Sequence, residues 1–200
     1  MDVAIVLFDG FDDLDAVGPF EVFSHAGTHG ADVDVGLYTL ESREVVTSSH
    51  GLRIEPDGVL PESPDVVVVP GGGWGDRAAA GAWREAERGD IPDAVADRHA
   101  AGATVASVCT GGMLLARAGL TDGRPAVTHH GALEDLRESG AEVVEARVVD
   151  AGDVVTAGGV TAGIDLALHL LDREVGTDVA ERVASAMEYE PRGDVHDAPG

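Results

Sequence analysis

The chain holds one cysteine, Cys109, and its neighbours make it a candidate nucleophile. The apolar run Ala103-Thr-Val-Ala-Ser-Val leads into it, and Thr110-Gly-Gly-Met-Leu-Leu-Ala116 leads away. The first run reads as a buried parallel strand and the second as a helix with small residues at its mouth. A thiol on such a strand-to-helix turn stands beside free backbone N–H groups and the positive end of a helix dipole. Both favour the thiolate, which is the reactive form. A lone intracellular cysteine is as often a small buried hydrophobe. The strand, the Gly-Gly pair and the helix together favour the nucleophile.

A cysteine nucleophile needs an acid/base partner and donors for the charge that builds on its substrate. The turn Pro70-Gly-Gly-Gly-Trp74 brings backbone close to a small guest, because nothing projects from a glycine. Gly72, Gly73 and Trp74 are therefore binding candidates, and the Thr110 N–H is a second donor. Asp12, Asp13 and Asp15 are the acid/base candidates, although Asp at a helix start also serves as a cap. Spacing alone does not choose among the three. His129 and His130 follow Val127-Thr128 and offer a base or a wall of the pocket, while His169 lies inside an apolar helix and reads as a buried, hydrogen-bonded residue. No spacing resembles a zinc site, and one cysteine cannot build a cysteine-rich metal cluster.

The elements that must position these groups alternate. Strands are expected at Val3–Phe8, Val33–Leu40, Val66–Val69 and Ala103–Cys109, with a short hairpin from Val45–Thr47 and Leu52–Ile54. A second hairpin is expected from Val143–Val149 and Val154–Thr156 around Asp150-Ala-Gly-Asp153. Helices are expected at Leu14–Ala26, Asp90–Ala101, after Cys109, Gly131–Ser139, Ala162–Asp172 and Asp178–Met187. Such alternation implies an α/β fold with a mostly parallel sheet covered by helices on both faces. Reactive groups then gather at the carboxyl ends of the strands. Three segments meet there: Asp9 to Asp15, Gly71 to Gly73, and Cys109-Thr110.

Composition bounds the function. The 200 residues, 44% of them hydrophobic, suffice for one domain over residues 1–200 with a substantial core. The 13 basic residues stand against 37 acidic ones, for a net charge of -24. Every basic residue is Arg, and the chain has no Lys, Asn or Gln. So negative a chain repels nucleic acid and anionic lipid. The acid is spread rather than clustered, which favours a halophile's hydrated surface over an acidic docking patch. No basic-plus-apolar leader and no apolar run of membrane-spanning length is present, so the cytoplasm is the expected location.

Five blocks carry a resemblance. They are Asp13-Leu-Asp15-Ala-Val-Gly-Pro19-Phe-Glu-Val-Phe23, Pro70-Gly-Gly72, Ser107-Val-Cys109-Thr110-Gly111, Ala118-Gly-Leu-Thr-Asp-Gly-Arg124 and Thr156-Ala-Gly-Gly-Val-Thr-Ala-Gly-Ile-Asp165. Together they resemble the ThiJ/PfpI superfamily, and within it the isonitrile hydratase branch. The match runs on to Glu188-Tyr-Glu-Pro191. The resemblance implies a flavodoxin-like three-layer sandwich of the class I glutamine amidotransferase-like kind, and a homodimer. It implies Cys109 as nucleophile, Asp15 as its acidic partner, and Gly72 and Thr110 as oxyanion-type donors. The implied reaction is hydration of a small isonitrile to an N-substituted formamide, without metal or organic cofactor. His130 stands where related sequences tend to carry an aromatic residue, so it bears on substrate choice. Cys109 is not followed by His, which argues against the peptidase-like branch. No later His-x-Glu supports an amidotransferase triad, and no helix-turn-helix extension is present. A glyoxalase-type reaction at the same cysteine, or a redox or stress sensor in which that cysteine oxidises, are the competing expectations.

Overall fold

The structure is a computed structural model that describes residues 1–198. In chain order the elements are β1 (Asp2–Val6), α1 (Asp13–Thr28), β2 (Asp34–Thr39), β3 (Val46–Thr47), β4 (Arg53–Ile54), β5 (Gly58–Val59) and β6 (Val66–Val69). Then come α2 (Ala82–Arg88), α3 (Asp90–Ala100), β7 (Thr104–Val108), α4 (Gly111–Arg117), β8 (Pro125–Ala126), α5 (Leu133–Glu138) and β9 (Glu142–Val143). The chain continues through β10 (Val148–Asp150), β11 (Val154–Ala157), α6 (Ala162–Glu174), α7 (Thr177–Ala186) and β12 (Val195–Asp197).

Eight strands form one sheet in the order β12-β10-β11-β7-β6-β1-β2-β5. All neighbours run parallel except β10 against β11. The central strands are apolar on both faces, as Val66–Val69 and Val105–Val108 show, because helices cover both faces. Helices α1, α6 and α7 pack together on one face, and α2, α3, α4 and α5 on the other. The result is the expected three-layer, flavodoxin-like α/β sandwich. Consecutive parallel strands all end on one side, so the loops after β1, β6 and β7 meet there.

Two expectations change. The run Val143–Val149 is not one strand. Its start, β9, pairs in parallel with β8 in a separate ribbon, and a tight turn in which the Ala146 N–H reaches the Val144 carbonyl at 2.9 Å interrupts it before β10. Helix α2, between Gly81 and Gly89, was not expected, and neither were the two-residue β5 and the edge strand β12. Each is too short to print a period. The hairpin of β3 and β4 forms as expected.

Candidate active site

Cys109 ends β7 in the left-handed region, at φ 57°. A non-glycine residue there carries strain, held only when its surroundings over-determine it. They do: the Cys109 N–H is shared between the Ala157 and Gly158 carbonyls at 3.2 and 2.8 Å, and the Thr128 hydroxyl donates to the Cys109 carbonyl at 2.7 Å. Cys109 as a whole is 6% exposed and lines a hollow. The N–H groups of Val160 and Thr110 point at the sulfur. Val160 is itself held at φ 33°, an outlier for a β-branched residue.

Asp15 lies behind that sulfur, on the first turn of α1, and is fully buried. The Gly71 N–H donates to its Oδ2 at 2.9 Å, while Oδ1 has no partner among the described residues. Burial, reinforced by the nearby Asp12 charge, pushes the Asp15 carboxyl up to about 8 against the pull of Gly71 and the Cys109 thiol. Burial and then the Asp15 carboxylate push the Cys109 thiol up to about 12, against the pull of the Val160 and Thr110 N–H groups. The expected lowering of the thiol is therefore corrected in direction: the Thr110 and Val160 N–H groups favour the thiolate, but burial beside a carboxyl outweighs them.

Thr110 ties the two loops together. Its hydroxyl accepts the Gly72 N–H at 2.9 Å. The Gly72 N–H, expected to face a substrate as an oxyanion-type donor, is thus engaged by the Thr110 side chain in this structure. A glycine is required at 71, where a Cβ would stand 2.5 Å from both the Thr110 N and its Oγ1. No side chain fits between the loops after β6 and β7.

The hollow above Cys109 has a volume of about 740 Å³. Gly72, Gly73, Trp74, Thr110 and Cys109 line it, as expected from sequence. His130 does not. It faces a separate cavity with Val127 and Arg147, and His129 lines the cysteine's cavity instead. The chain is extended at His129, ψ 138°, before the short 3-10 turn of His130–Ala132, and the two rings lie against each other with centroids 4.1 Å apart. The Gly131 N–H donates to His129 Nδ1 at 3.1 Å and fixes the ring. Burial, then His130, holds His129 below its ordinary value, so it is neutral at neutral pH. Of the three aspartates, only Asp15 reaches the sulfur. Asp13 turns outward to Ser48 Oγ and His50 Nδ1 at 2.9 and 2.8 Å, and Asp12 faces the cavity.

Sequence reasoning missed Val160, Thr128 and the place of the β3–β4 hairpin in the site, where its Ser48, Ser49 and His50 line the cavity. The Gly158-Gly159 pair just after a buried strand was the available signal for Val160. The hairpin carried none, because its seat depends on pairing across the sheet: Gly10 N to Thr47 O and Ser49 N to Phe11 O, both 2.8 Å.

A second polar cluster lies elsewhere. His169 Nε2 meets Asp150 Oδ2 at 2.6 Å, so His169 is hydrogen-bonded as expected. Its ligand atom, with those of Asp150 and Asp197, falls within 4.8 Å of the others. Arg173 Nη1 bonds both Asp150 oxygens, at 3.1 and 2.9 Å. A cation there would have to displace a guanidinium, so these residues fit an ion-pair network better than a metal. No described helix is long and apolar enough to cross a membrane.

Comparison with known proteins agrees with this geometry. The DJ-1/PfpI family model matches residues 1–173. The chain is 37% identical over 193 residues to an isonitrile hydratase from Pseudomonas putida, covering 96% of this chain and 79% of that protein. It is 26% identical to the Parkinson disease protein 7 homolog of Danio rerio, covering 92% and 94%. Its structure superposes with a TM-score of 0.82 on a ThiJ/PfpI family protein from Pseudomonas syringae, at 30% identity, covering 96% of this chain and 76% of the other. The cysteine elbow, the carboxyl behind it and these likenesses lead to one conclusion: the chain belongs to the DJ-1/PfpI family.

Proposed function

We propose that this protein hydrates isonitriles to N-substituted formamides, with Cys109 as nucleophile. The observation that carries the reading is a strained Cys109 at the floor of an open cavity with the buried Asp15 carboxyl directly behind it. The similarity to the Pseudomonas putida isonitrile hydratase supports the choice of substrate. As sulfur bonds to the isonitrile carbon, the thiol proton passes to Asp15 and the Asp15 proton passes to that carbon. This gives a thioimidate, R–N=CH–S–Cys109. Water adds to the same carbon while its proton reaches nitrogen through Asp15. The C–S bond then breaks, returning the thiol and releasing R–NH–CHO. A carboxyl raised toward neutrality can both give and take protons at working pH. The Thr110 and Val160 N–H groups stabilise charge on sulfur as bonds to it form and break.

The same reading carries a homodimer, a cytoplasmic location and operation at molar salt. The test is direct. Purified protein is incubated at high salt with cyclohexyl isocyanide and, separately, with methylglyoxal. N-cyclohexylformamide from the first and no lactate from the second is expected. Lactate without formamide would replace this reading with a glyoxalase-type one. Neither product, with peroxide oxidising Cys109 to the sulfinic acid, would favour a sensor.

A further inference from the structure

The cavity over Cys109 is electrostatically one-sided. Asp9, Asp12 and Asp76 line it, and no Arg does among the described residues. Two of the acids around its mouth are already committed: Asp9 to Arg43 at 2.6 Å, and Asp13, just behind the wall, to His50 at 2.8 Å. Asp12 is different. It occupies the cap position of α1, yet its side chain makes no cap hydrogen bond. Its backbone is held instead, by the Asp12 N–H to the Gly71 carbonyl at 2.8 Å. The carboxylate is left facing the cavity, and its field reaches both Cys109 and Asp15 behind it, and His50 and His129 on the walls. A half-buried aspartate that leaves helix N–H groups uncapped forgoes the stabilisation that a cap would give.

We propose that Asp12 is a specificity residue, selecting small substrates that carry an ammonium group at the end remote from the reacting carbon and excluding carboxylate-bearing ones. The inference deepens the cysteine chemistry proposed above and rests on Cys109 being reachable through this cavity. A cation entering the hollow meets the Asp12 carboxylate before it meets sulfur. Trp74 beside it carries no charge, and the His50 imidazole on the wall is already engaged by the Asp13 carboxylate at 2.8 Å. An anion entering the same way meets like charge with no arginine to receive it.

The test uses the rate at which two reagents of equal size and opposite charge label Cys109: 2-aminoethyl and 2-sulfonatoethyl methanethiosulfonate. Each is normalised to its rate with a free thiol. Salt is held at about 1 M, where the screening length is about 3 Å and the distant surface acids drop out. The ratio of cation to anion rates is independent of the thiolate fraction, so any shift in the Cys109 proton affinity cancels. Wild type is expected to prefer the cation by about tenfold or more, the effect of one nearby charge in a partly open cavity. Asp12→Asn keeps the shape of the side chain and is expected to bring the ratio close to one. An unchanged ratio in Asp12→Asn would overturn the role of Asp12 and leave the cysteine chemistry standing. No labelling of Cys109 by either reagent would overturn the cysteine chemistry itself, and this inference with it.

Discussion

Asp15 raises the affinity of Cys109 for its proton, whereas the Cys109 thiol, by hydrogen bonding to the carboxyl, lowers that of Asp15. The carboxyl sits fully buried behind the sulfur with one oxygen unpartnered among the described residues, and its charge is among the causes that lift the thiol. Burial is the largest cause of the rise in both. In the proposed reaction their adjacency would bring a proton donor and a nucleophile to the same carbon.

Asp15→Asn separates the two consequences. Asn keeps an acceptor for the Gly71 N–H but neither gives nor takes a proton, so kcat is expected to fall by roughly two to four orders of magnitude. Stability should move the other way. The Asp15 value in the folded chain lies above the 3.8 of free aspartate. The penalty for ionising it is therefore absent below about pH 4 and grows as pH rises toward 8. Asp15→Asn is expected to exceed wild type in stability by about 1–3 kcal/mol at pH 8 and to match it near pH 4. Denaturant unfolding at the two pH values checks this, and a variant less stable than wild type at pH 8 would contradict it.

Thr110→Val keeps the backbone N–H beside the sulfur and removes the acceptor of the Gly72 N–H. The buried donor left behind costs about 1–3 kcal/mol. The loop after β6 is expected to loosen, raising KM more than it lowers kcat. Steady-state kinetics with urea melts read both, and unchanged stability would show that water satisfies Gly72 instead.

The parts of this site legible in the sequence were those built from local rules. The strand Ala103–Val108, its abrupt end at Cys109 and the small residues opening α4 announced the elbow. The valine run before Pro70-Gly-Gly-Gly announced the facing loop. Which aspartate meets the sulfur was not legible from spacing, because Asp12, Asp13 and Asp15 differ only in how α1 rotates them. The family resemblance chose Asp15, and the structure places it there. His129 and His130 were likewise indistinguishable, because adjacent rings in contact line different cavities only once the chain is folded. The thiol's protonation was misread because a helix dipole is visible in sequence, whereas burial against Asp15 is a tertiary fact. Likewise β9 and β10 looked continuous, since the turn at Val144–Ala146 carries neither Gly nor Pro.

Asp150 offers a control outside the site. Burial would raise its carboxyl, but His169, the Gly152 N–H and Arg173 overcome this and hold it at about 2. Its value lies below the 3.8 of free aspartate, so its contribution is present above about pH 4 and is lost as pH falls toward 2. Asp150→Asn is expected to lower stability at pH 7 by about 2 kcal/mol while formamide production per folded molecule stays unchanged. A specific-activity loss larger than the folded fraction explains would contradict its purely structural role.

The net charge of -24 makes salt a further test. Screening should relieve self-repulsion, so the melting temperature is expected to rise from low to molar salt. A fall over that range would remove the halophilic reading.

The central claim is that Cys109 forms a bond to the isonitrile carbon. The most direct measurement compares N-cyclohexylformamide production from cyclohexyl isocyanide by wild type and Cys109→Ala at molar salt, with circular dichroism confirming that the variant is folded. Product from wild type and none above background from Cys109→Ala is the predicted result. Formamide from folded Cys109→Ala at the wild-type rate would contradict the account.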